Sequence, residues 1–253
     1  MTPPVPSSRL VDLLKGRGAV LVLTGAGVSK ESGIATFRDD GGVWEGVDPM
    51  TVATPRAFAA DPDRVWRFYD ARRTQAAAAR PNPAHRAIAA LEDTGRPFLL
   101  ATQNVDGLHE RAGSRALVRL HGSLWILRCT VEGTEKEDLR PTLGPLPPRC
   151  ASCGAILRPA VVWFDEPLPV EAFHRAQQAA RDAELVLVVG TSSLVYPAAA
   201  LPLASVEAGA YVAEINPERT PLSSQVHEHL AGPAGVVIPA LLAAAGIPME
   251  SAA

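Results

Sequence analysis

Val20-Leu21-Val22-Leu23-Thr24-Gly25-Ala26-Gly27-Val28-Ser29 is the stretch that decides the architecture. With Ala19 before it, the run to Leu23 is apolar throughout rather than alternating. That is the pattern of a strand buried on both faces, as in a parallel sheet covered by helices. Glycines directly after such a strand, opening a short helix, let the backbone approach a pyrophosphate whose charge the helix N-terminus favours. By itself the loop is a weak signal. Lys30 stands where a dehydrogenase-type G-x-G-x-x-G carries its third glycine, and a tight turn in another α/β protein accounts for the loop equally well.

Three more runs repeat the pattern. Phe98-Leu99-Leu100-Ala101 ends in Thr102-Gln103-Asn104, Leu185-Val186-Leu187-Val188-Val189 ends in Gly190-Thr191-Ser192, and Tyr211-Val212-Ala213-Glu214-Ile215 ends in Asn216. Helical patterns fall around them at Ser8 to Lys15, Pro83 to Glu92, Val170 to Ala183 and Pro197 to Ala208; Val236 to Ala245 reads as a strand end followed by a C-terminal helix. The alternation predicts a Rossmann-like, doubly wound parallel α/β sheet. Ligands of such sheets bind outside the carboxyl ends of the strands, so Gly25, Gln103, Asn104, Gly190, Ser192 and Asn216 are expected to line one crevice. Thr36 to Ala79 and Leu124 to Arg158 break the alternation and read as two insertions forming a small second domain. The expected division is a large domain over 8–35, 95–123 and 160–248, with the small domain over 36–94 (helical) and 124–159 (cysteine-containing).

The chain has 253 residues, 47% hydrophobic and 20% charged, enough for one large domain with a subsidiary module. A net charge of −3 gives no electrostatic reason to expect nucleic acid or an anionic membrane as partner. The Pro- and Ser-rich stretch from Met1 to Ser8 lacks the basic and apolar regions of a signal peptide, and no apolar run reaches bilayer length, so a soluble cytoplasmic setting is expected. The cysteines number three, two of them as Cys150-x-x-Cys153, a spacing that suits metal or redox chemistry rather than a secreted disulfide framework.

Six motifs occur in order: Gly25-Ala26-Gly27-Val28-Ser29 continuing to Thr36-Phe37-Arg38; Thr102-Gln103-Asn104-Val105-Asp106-Gly107; His121-Gly122; Val161-Val162-Trp163-Phe164-Asp165-Glu166; Gly190-Thr191-Ser192; and Glu214-Ile215-Asn216. This ordered set closely resembles the sirtuin family, from about Leu23 to about Val237. The resemblance implies a Rossmann-like domain with a small domain made from two insertions. It also implies an enzyme that cleaves the nicotinamide–ribose bond of its co-substrate NAD and moves the acyl group of an acyl-lysine protein or peptide onto ADP-ribose. Nicotinamide, deacylated lysine and 2′-O-acyl-ADP-ribose are the products.

Carried over position by position, the resemblance makes His121 the catalytic histidine; a neutral imidazole suits proton removal from a ribose hydroxyl, which then attacks the imidate intermediate. Asn104 joins it in catalysis, and Gln103, Asn104 and Asp106 match the ribose and nicotinamide pocket, with Asp106 accepting hydrogens from the carboxamide. Gly25, Ala26, Gly27, Phe37 and Arg38 match the cofactor loop, Phe37 shielding the reactive carbon and Arg38 contacting phosphate. Gly190, Ser192 and Asn216 match the diphosphate and adenosine end. Val162, Trp163 and Phe164 match a segment that pairs with substrate peptide as an added strand, although Trp163 and Phe164 suit a core equally well. Asp165 replaces a glycine common in the family, which implies reduced backbone freedom or a preference for basic peptides.

Tyr69 and Arg72, three apart on a helix, share a face. Their Tyr-x-x-Arg resembles the signature of sirtuins that remove succinyl, malonyl or glutaryl groups, and a guanidinium beside a phenol suits a terminal carboxylate; acetyl removal is expected alongside. The structural alternative is an arginine on a solvated face and a tyrosine in the core. Sirtuins often hold a structural zinc with two cysteine pairs, but this chain offers only Cys129, Cys150 and Cys153, with Glu132 where the partner of Cys129 is expected. Either Glu132 or a water completes a weaker site, or zinc is absent and packing alone holds the module. Competing functions are ADP-ribosyl transfer or NAD hydrolysis in the same pocket, a non-catalytic NAD or acyl-peptide sensor, and an oxidoreductase, which the missing glycine fingerprint disfavours.

Overall fold

The structure, a computed structural model, describes residues 2–36 and 47–249. Along the chain the strands are β1 (Val20–Thr24), β2 (Phe98–Thr102), β3 (Leu117–Arg119), β4 (Gly122–Cys129), β5 (Glu135–Glu137), β6 (Leu157–Val161), β7 (Leu185–Val189), β8 (Tyr211–Asn216) and β9 (Glu228–Ala231). The helices are α1 (Ser8–Lys15), α2 (Pro55–Ala60), α3 (Pro62–Ala78), α4 (Pro83–Glu92), α5 (Leu108–Arg111), α6 (Val170–Asp182), α7 (Leu201–Glu207) and α8 (Ala234–Ala244).

A six-stranded sheet runs β3-β2-β1-β7-β8-β9, every neighbour parallel. Taken in chain order within the sheet this is 3-2-1-4-5-6, the doubly wound order, with its reversal between β1 and β7. The unbroken apolar runs have a direct cause. Val20 and Val22 point into a core with α1, α4 and α8, whereas Leu21 and Leu23 point into a second core with α6 and α7. Leu185, Leu187 and Val189 divide from Val186 and Val188 in the same way. A fully buried side chain of this size contributes about 1.5–3 kcal/mol, so a strand apolar on both faces has no place except the middle of such a stack.

Two expectations are corrected by packing. Val236 to Ala245 contains no strand end: the helix begins at Ala234, after Pro233, because Val237, Ile238, Leu241 and Leu242 form one face that closes the first core. The helix Pro83–Glu92, expected within the small domain, packs Ala84, Ala87, Ile88 and Leu91 into that same core. A capping box at Asn82 and His85 starts it, and Asn82 Nδ2 also donates to the Val28 carbonyl at 2.7 Å, tying the helix to the loop after β1.

A second, antiparallel sheet, β5-β4-β6, stands apart from the first. It shares a third core with α3, in which Trp66, Tyr69, Trp125 and Trp163 are the large members. Trp66 Nε1 donates to the Leu157 carbonyl at 2.7 Å and fixes α3 against β6. Among the described residues no helix is long and apolar enough to cross a membrane.

Candidate active site

The loops after β1 and β7 meet at the point where the strand order reverses. The Gly25 amide donates to the Val189 carbonyl at 3.0 Å and the Gly27 amide to the Gly190 carbonyl at 2.8 Å. A Cβ on Gly27 would lie 2.7 Å from the Gly190 oxygen, and one on Gly25 would lie 2.8 Å from the Thr191 Cβ. These glycines are therefore required by loop-on-loop contact, a reason the sequence alone does not reveal. The turn that follows, Ala26–Ser32, is a 3-10 helix.

Around this floor the carboxyl ends of the strands interlock. Gln103 Nε2 donates to Thr191 Oγ1 at 3.1 Å, and Asn216 Nδ2 donates to the Thr191 carbonyl at 2.9 Å. Thr191 thus bridges two residues expected in the crevice without having been singled out itself. Ser192 is half-buried beside it, next to Ser193, whose φ is 54°.

Beneath the crevice lies a continuous polar network. Asn104 Nδ2 donates to Ser29 Oγ at 3.1 Å, and Ser29 Oγ donates to Asp106 Oδ2 at 2.8 Å. Asp106 Oδ1 accepts from the Leu108 amide at 2.8 Å, while its carbonyl accepts from Trp125 Nε1 at 2.7 Å. Ser29 Oγ also lies 3.4 Å from His85 Nε2, and the His85 ring sits 4.7 Å from that of His109, centroid to centroid. His109 Nε2 in turn lies 3.0 Å from Thr24 Oγ1. Burial raises the pKa of Asp106, opposed by its bonds to Leu108 and Ser29. Burial lowers that of His85 to about 4 and that of His109 well below the ordinary value, so both imidazoles are neutral near pH 7. Ser29 was legible as a member of the glycine string; its bridging role was not, because the Asn104 and Asp106 it joins lie far along the chain.

His121 leads into β4, half-buried, with Nδ1 3.1 Å from the Gln103 carbonyl. A carbonyl only accepts, so Nδ1 carries the proton and Nε2 keeps its lone pair. Burial lowers the pKa of His121, against the raising effect of the Gln103 bond, and the neutral base is the form present at neutral pH. The His121 carbonyl accepts from the Val162 amide at 2.9 Å, which places the segment after β6 beside the imidazole. In that segment the Phe164 amide donates to the Ala53 carbonyl at 2.9 Å and the Trp163 amide to Glu166 Oε2 at 2.9 Å. Trp163 is buried and Phe164 is 48% exposed, so the two aromatics take different roles. Asp165 takes φ 68°, in the left-handed region that a glycine adopts most readily.

On α3, Tyr69 is buried and its hydroxyl accepts from Trp163 Nε1 at 3.0 Å. Desolvation pushes its pKa up to about 12, with Arg72 acting in the opposite direction. Burial lowers the pKa of Arg72, opposed by the nearby Tyr69 and Asp106. The fully buried arginine of the helix is its neighbour, Arg73. Arg73 donates to the carbonyls of Leu124, Asp138 and Arg140 and lies 5.0 Å from the Trp125 ring. Sequence reasoning missed it, because two adjacent arginines look alike until the helix is seated.

Ligand atoms of Cys129, Glu132, Cys150 and Cys153 all lie within 4.8 Å of one another. Cys129 and Cys153 have their sulfurs 3.5 Å apart, and Cys150 Sγ is 3.7 Å from Glu132 Oε2. Tetrahedral zinc with bonds of about 2.3 Å to sulfur and about 2.0 Å to oxygen separates its ligands by roughly 3.5–3.8 Å. Three sulfurs and a carboxylate at these spacings fit that ion. Phe37 and Arg38, expected in the cofactor loop, lie outside the described residues.

A sequence profile of the Sir2 family matches residues 25–197. The NAD-dependent protein deacylase of Aquifex aeolicus is 48% identical over 210 residues, covering 83% of this chain and 88% of that protein. The NAD-dependent protein deacylase of Methylococcus capsulatus is 47% identical over 254 residues, covering 94% of this chain and 96% of its own. Among solved structures, a Sir2 homolog–NAD complex superposes with a TM-score of 0.91 at 43% identity, covering 97% of this chain and 96% of that one. Sir2 with a p53 peptide and NAD+ superposes with a TM-score of 0.82 at 29% identity, covering 96% and 100%. With this order of strands, this crevice and these relatives, the chain belongs to the Sir2 family.

Proposed function

We propose that this protein is an NAD-dependent protein-lysine deacylase that accepts acyl groups ending in a carboxylate, succinyl and malonyl, as well as acetyl. The observation that carries the deacylase reading is the state of His121: Nδ1–H held on the Gln103 carbonyl, Nε2 left basic, and the neutral form favoured by burial. NAD bound in the crevice supplies an activated ribose once its nicotinamide bond is weakened. The carboxamides of Gln103, Asn104 and Asn216 and the glycine floor fit that co-substrate, since they offer donors and acceptors for ribose hydroxyls at the strand ends. Asp106 Oδ2 accepts from Ser29 and Oδ1 from Leu108, and each carboxylate oxygen keeps a further acceptor position for a carboxamide N–H. His121 Nε2 takes the proton of a ribose hydroxyl, making that oxygen the nucleophile that collects the acyl group. The amides of Val162, Trp163 and Phe164 are engaged within the chain, so a substrate peptide laid along this segment as an added strand meets the segment's carbonyls.

The acyl reading rests on Tyr69 and Arg72, a protonated phenol and a guanidinium one turn apart on α3. Cys129, Cys150, Cys153 and Glu132 hold a structural zinc in the small domain, the carboxylate standing in for a fourth thiolate. The test is NAD-dependent removal of succinyl and of acetyl from the same lysine peptide, in wild type and in Arg72→Met. The expected result is turnover of both, with succinyl turnover falling strongly in the variant and acetyl turnover spared. Equal loss on both acyl groups removes Arg72 from the pocket. Nicotinamide release that does not depend on an acyl peptide replaces the deacylase reading with NAD hydrolysis or ADP-ribosyl transfer.

A further inference from the structure

We propose that Trp163 is a specificity-determining positioning residue, its indole N–H orienting the Tyr69 hydroxyl so that the phenol donates its proton to the terminal carboxylate of an acidic acyl group. The inference rests on the acidic-acyl reading above and adds to it the residue that aims the phenol.

Tyr69 and Trp163 are 6% and 3% exposed, and Trp163 Nε1 lies 3.0 Å from the Tyr69 oxygen. An indole N–H only donates, so the phenol oxygen accepts. A phenolic proton lies in the ring plane, because the oxygen is conjugated with the ring, and has two positions there. An N–H arriving at one side leaves the proton the other. Among the described residues no group accepts that proton, so Tyr69 is a donor with its direction set and its partner still to come. Burial holds the phenol pKa at about 12, and the proton is present throughout the physiological range.

The indole is itself held in place. Arg158 stacks 3.5 Å above the centre of the Trp163 ring. Arg158 is gripped in turn by Glu166, Nη1 to Oε1 at 2.5 Å and Nη2 to Oε2 at 2.8 Å. Glu166 Oε2 accepts the Trp163 amide as well, so backbone and ring are tied to one carboxylate. A carboxylate has about four acceptor positions, and a guanidinium fork occupies two. Arg72 supplies charge, and the aimed phenol supplies a third hydrogen bond with a fixed angle. An acetyl group has no oxygen at that depth and gains nothing from it. A tyrosine–tryptophan bond that only satisfies two buried groups would instead affect both acyl chains alike.

The experiment measures kcat/KM for succinyl and acetyl on one lysine peptide at saturating NAD. It uses wild type, Trp163→Phe, Tyr69→Phe, the double variant and Arg72→Met. Trp163→Phe deletes the N–H and keeps an aromatic ring. Its succinyl-to-acetyl ratio is expected to fall about three- to tenfold, the worth of one oriented hydrogen bond, with the change carried by KM. In the Tyr69→Phe background the same substitution leaves the ratio where it is, since no hydroxyl remains to be aimed. Should Trp163→Phe not fold, Arg158→Met loosens the indole without removing it and is expected to lower the ratio in the same direction. An unchanged ratio in the folded variant, or an equal fall with and without the Tyr69 hydroxyl, overturns the proposal. Arg72→Met separates the two levels. If it lowers the ratio while Trp163→Phe does not, only the role of Trp163 falls. If it leaves the ratio unchanged, the acidic-acyl pocket falls and the Trp163 proposal with it.

Discussion

Two polar clusters in this protein are built on opposite plans. Ser29, Asn104, Asp106, His85 and His109 sit beneath the crevice, joined to one another by side-chain bonds and ring contact and packed against the main sheet. Cys129, Glu132, Cys150 and Cys153 sit at one end of the small sheet, where Cys153 is exposed and Glu132 meets Ser152 as well as Cys150. The first cluster satisfies its polar groups internally except for His109 Nδ1, which is buried without a partner, and needs no ion to exist; the second gathers three thiols and a carboxylate that are better satisfied by a metal than by each other. The difference teaches that the polar groups of the crevice are preorganised by the fold, whereas the donors of the small domain are arranged to suit an ion, and the proposed zinc would supply part of that module's order.

The largest effect tests the first half of that contrast. His121→Ala is expected to lower acyl-dependent product formation about 10²–10⁴-fold with the circular dichroism spectrum unchanged, because the base is lost from a scaffold that does not depend on it. In wild type the acid limb of kcat/KM is expected below pH 6.5, since burial lowers the His121 pKa and the base loses its lone pair only on further acidification. Full activity in the alanine variant, or an acid limb above pH 7, would break the assignment.

The second half is tested by Cys150→Ser. Purified wild type is expected to carry one zinc per chain by elemental analysis. The variant is expected to lose most of it and to show an early thermal transition, while NAD binding in the crevice persists. Wild type purified without zinc would mean that packing alone holds the small domain.

A smaller effect sharpens the contrast from the acid side. His85 is buried neutral with a pKa of about 4, below its unfolded value of about 6.5. The stability it carries is present above pH 6.5 and is lost as pH falls toward 4. Urea midpoints taken from pH 7 to pH 4 are expected to fall less steeply in His85→Gln than in wild type; parallel curves would show that His85 takes up its proton at the same pH folded and unfolded. The smallest effect concerns Asp165, held at φ 68°. Asp165→Gly is expected to raise stability by about 0.5–1 kcal/mol in denaturant melts by removing a left-handed penalty. A fall instead would mean that the carboxylate contributes more than the backbone loses.

The same division explains what the sequence made readable. Strands buried on both faces announce themselves as unbroken apolar runs, so Leu185–Val189 and the flanking helix Ser8–Lys15 were delimited without coordinates. The helix Pro83–Glu92 had the right bounds and the wrong neighbours, because an amphipathic helix states which face it buries and not against what. In the crevice, motif order named Gln103, Asn104, Asp106 and His121. The bridging hydroxyls of Ser29 and Thr191 stayed hidden, since a serine or threonine in a turn reads as a cap. Arg73 stayed hidden for a related reason: a guanidinium wrapped in carbonyls has no counter-ion pattern in sequence. Glu132 was legible as a candidate to complete the metal site, standing where a cysteine was expected; that its carboxylate closes on the three sulfurs was not.

The clasp between Gly27 and Gly190 has a consequence for how the protein is made. The amide of residue 27 finds its acceptor at residue 190, so a chain leaving the ribosome carries the nucleotide loop long before it carries the other wall. Loops this far apart in sequence close late, after the intervening segments have folded. A growing chain halted short of β7 therefore holds the motif without the floor, which is completed only once synthesis has passed residue 190.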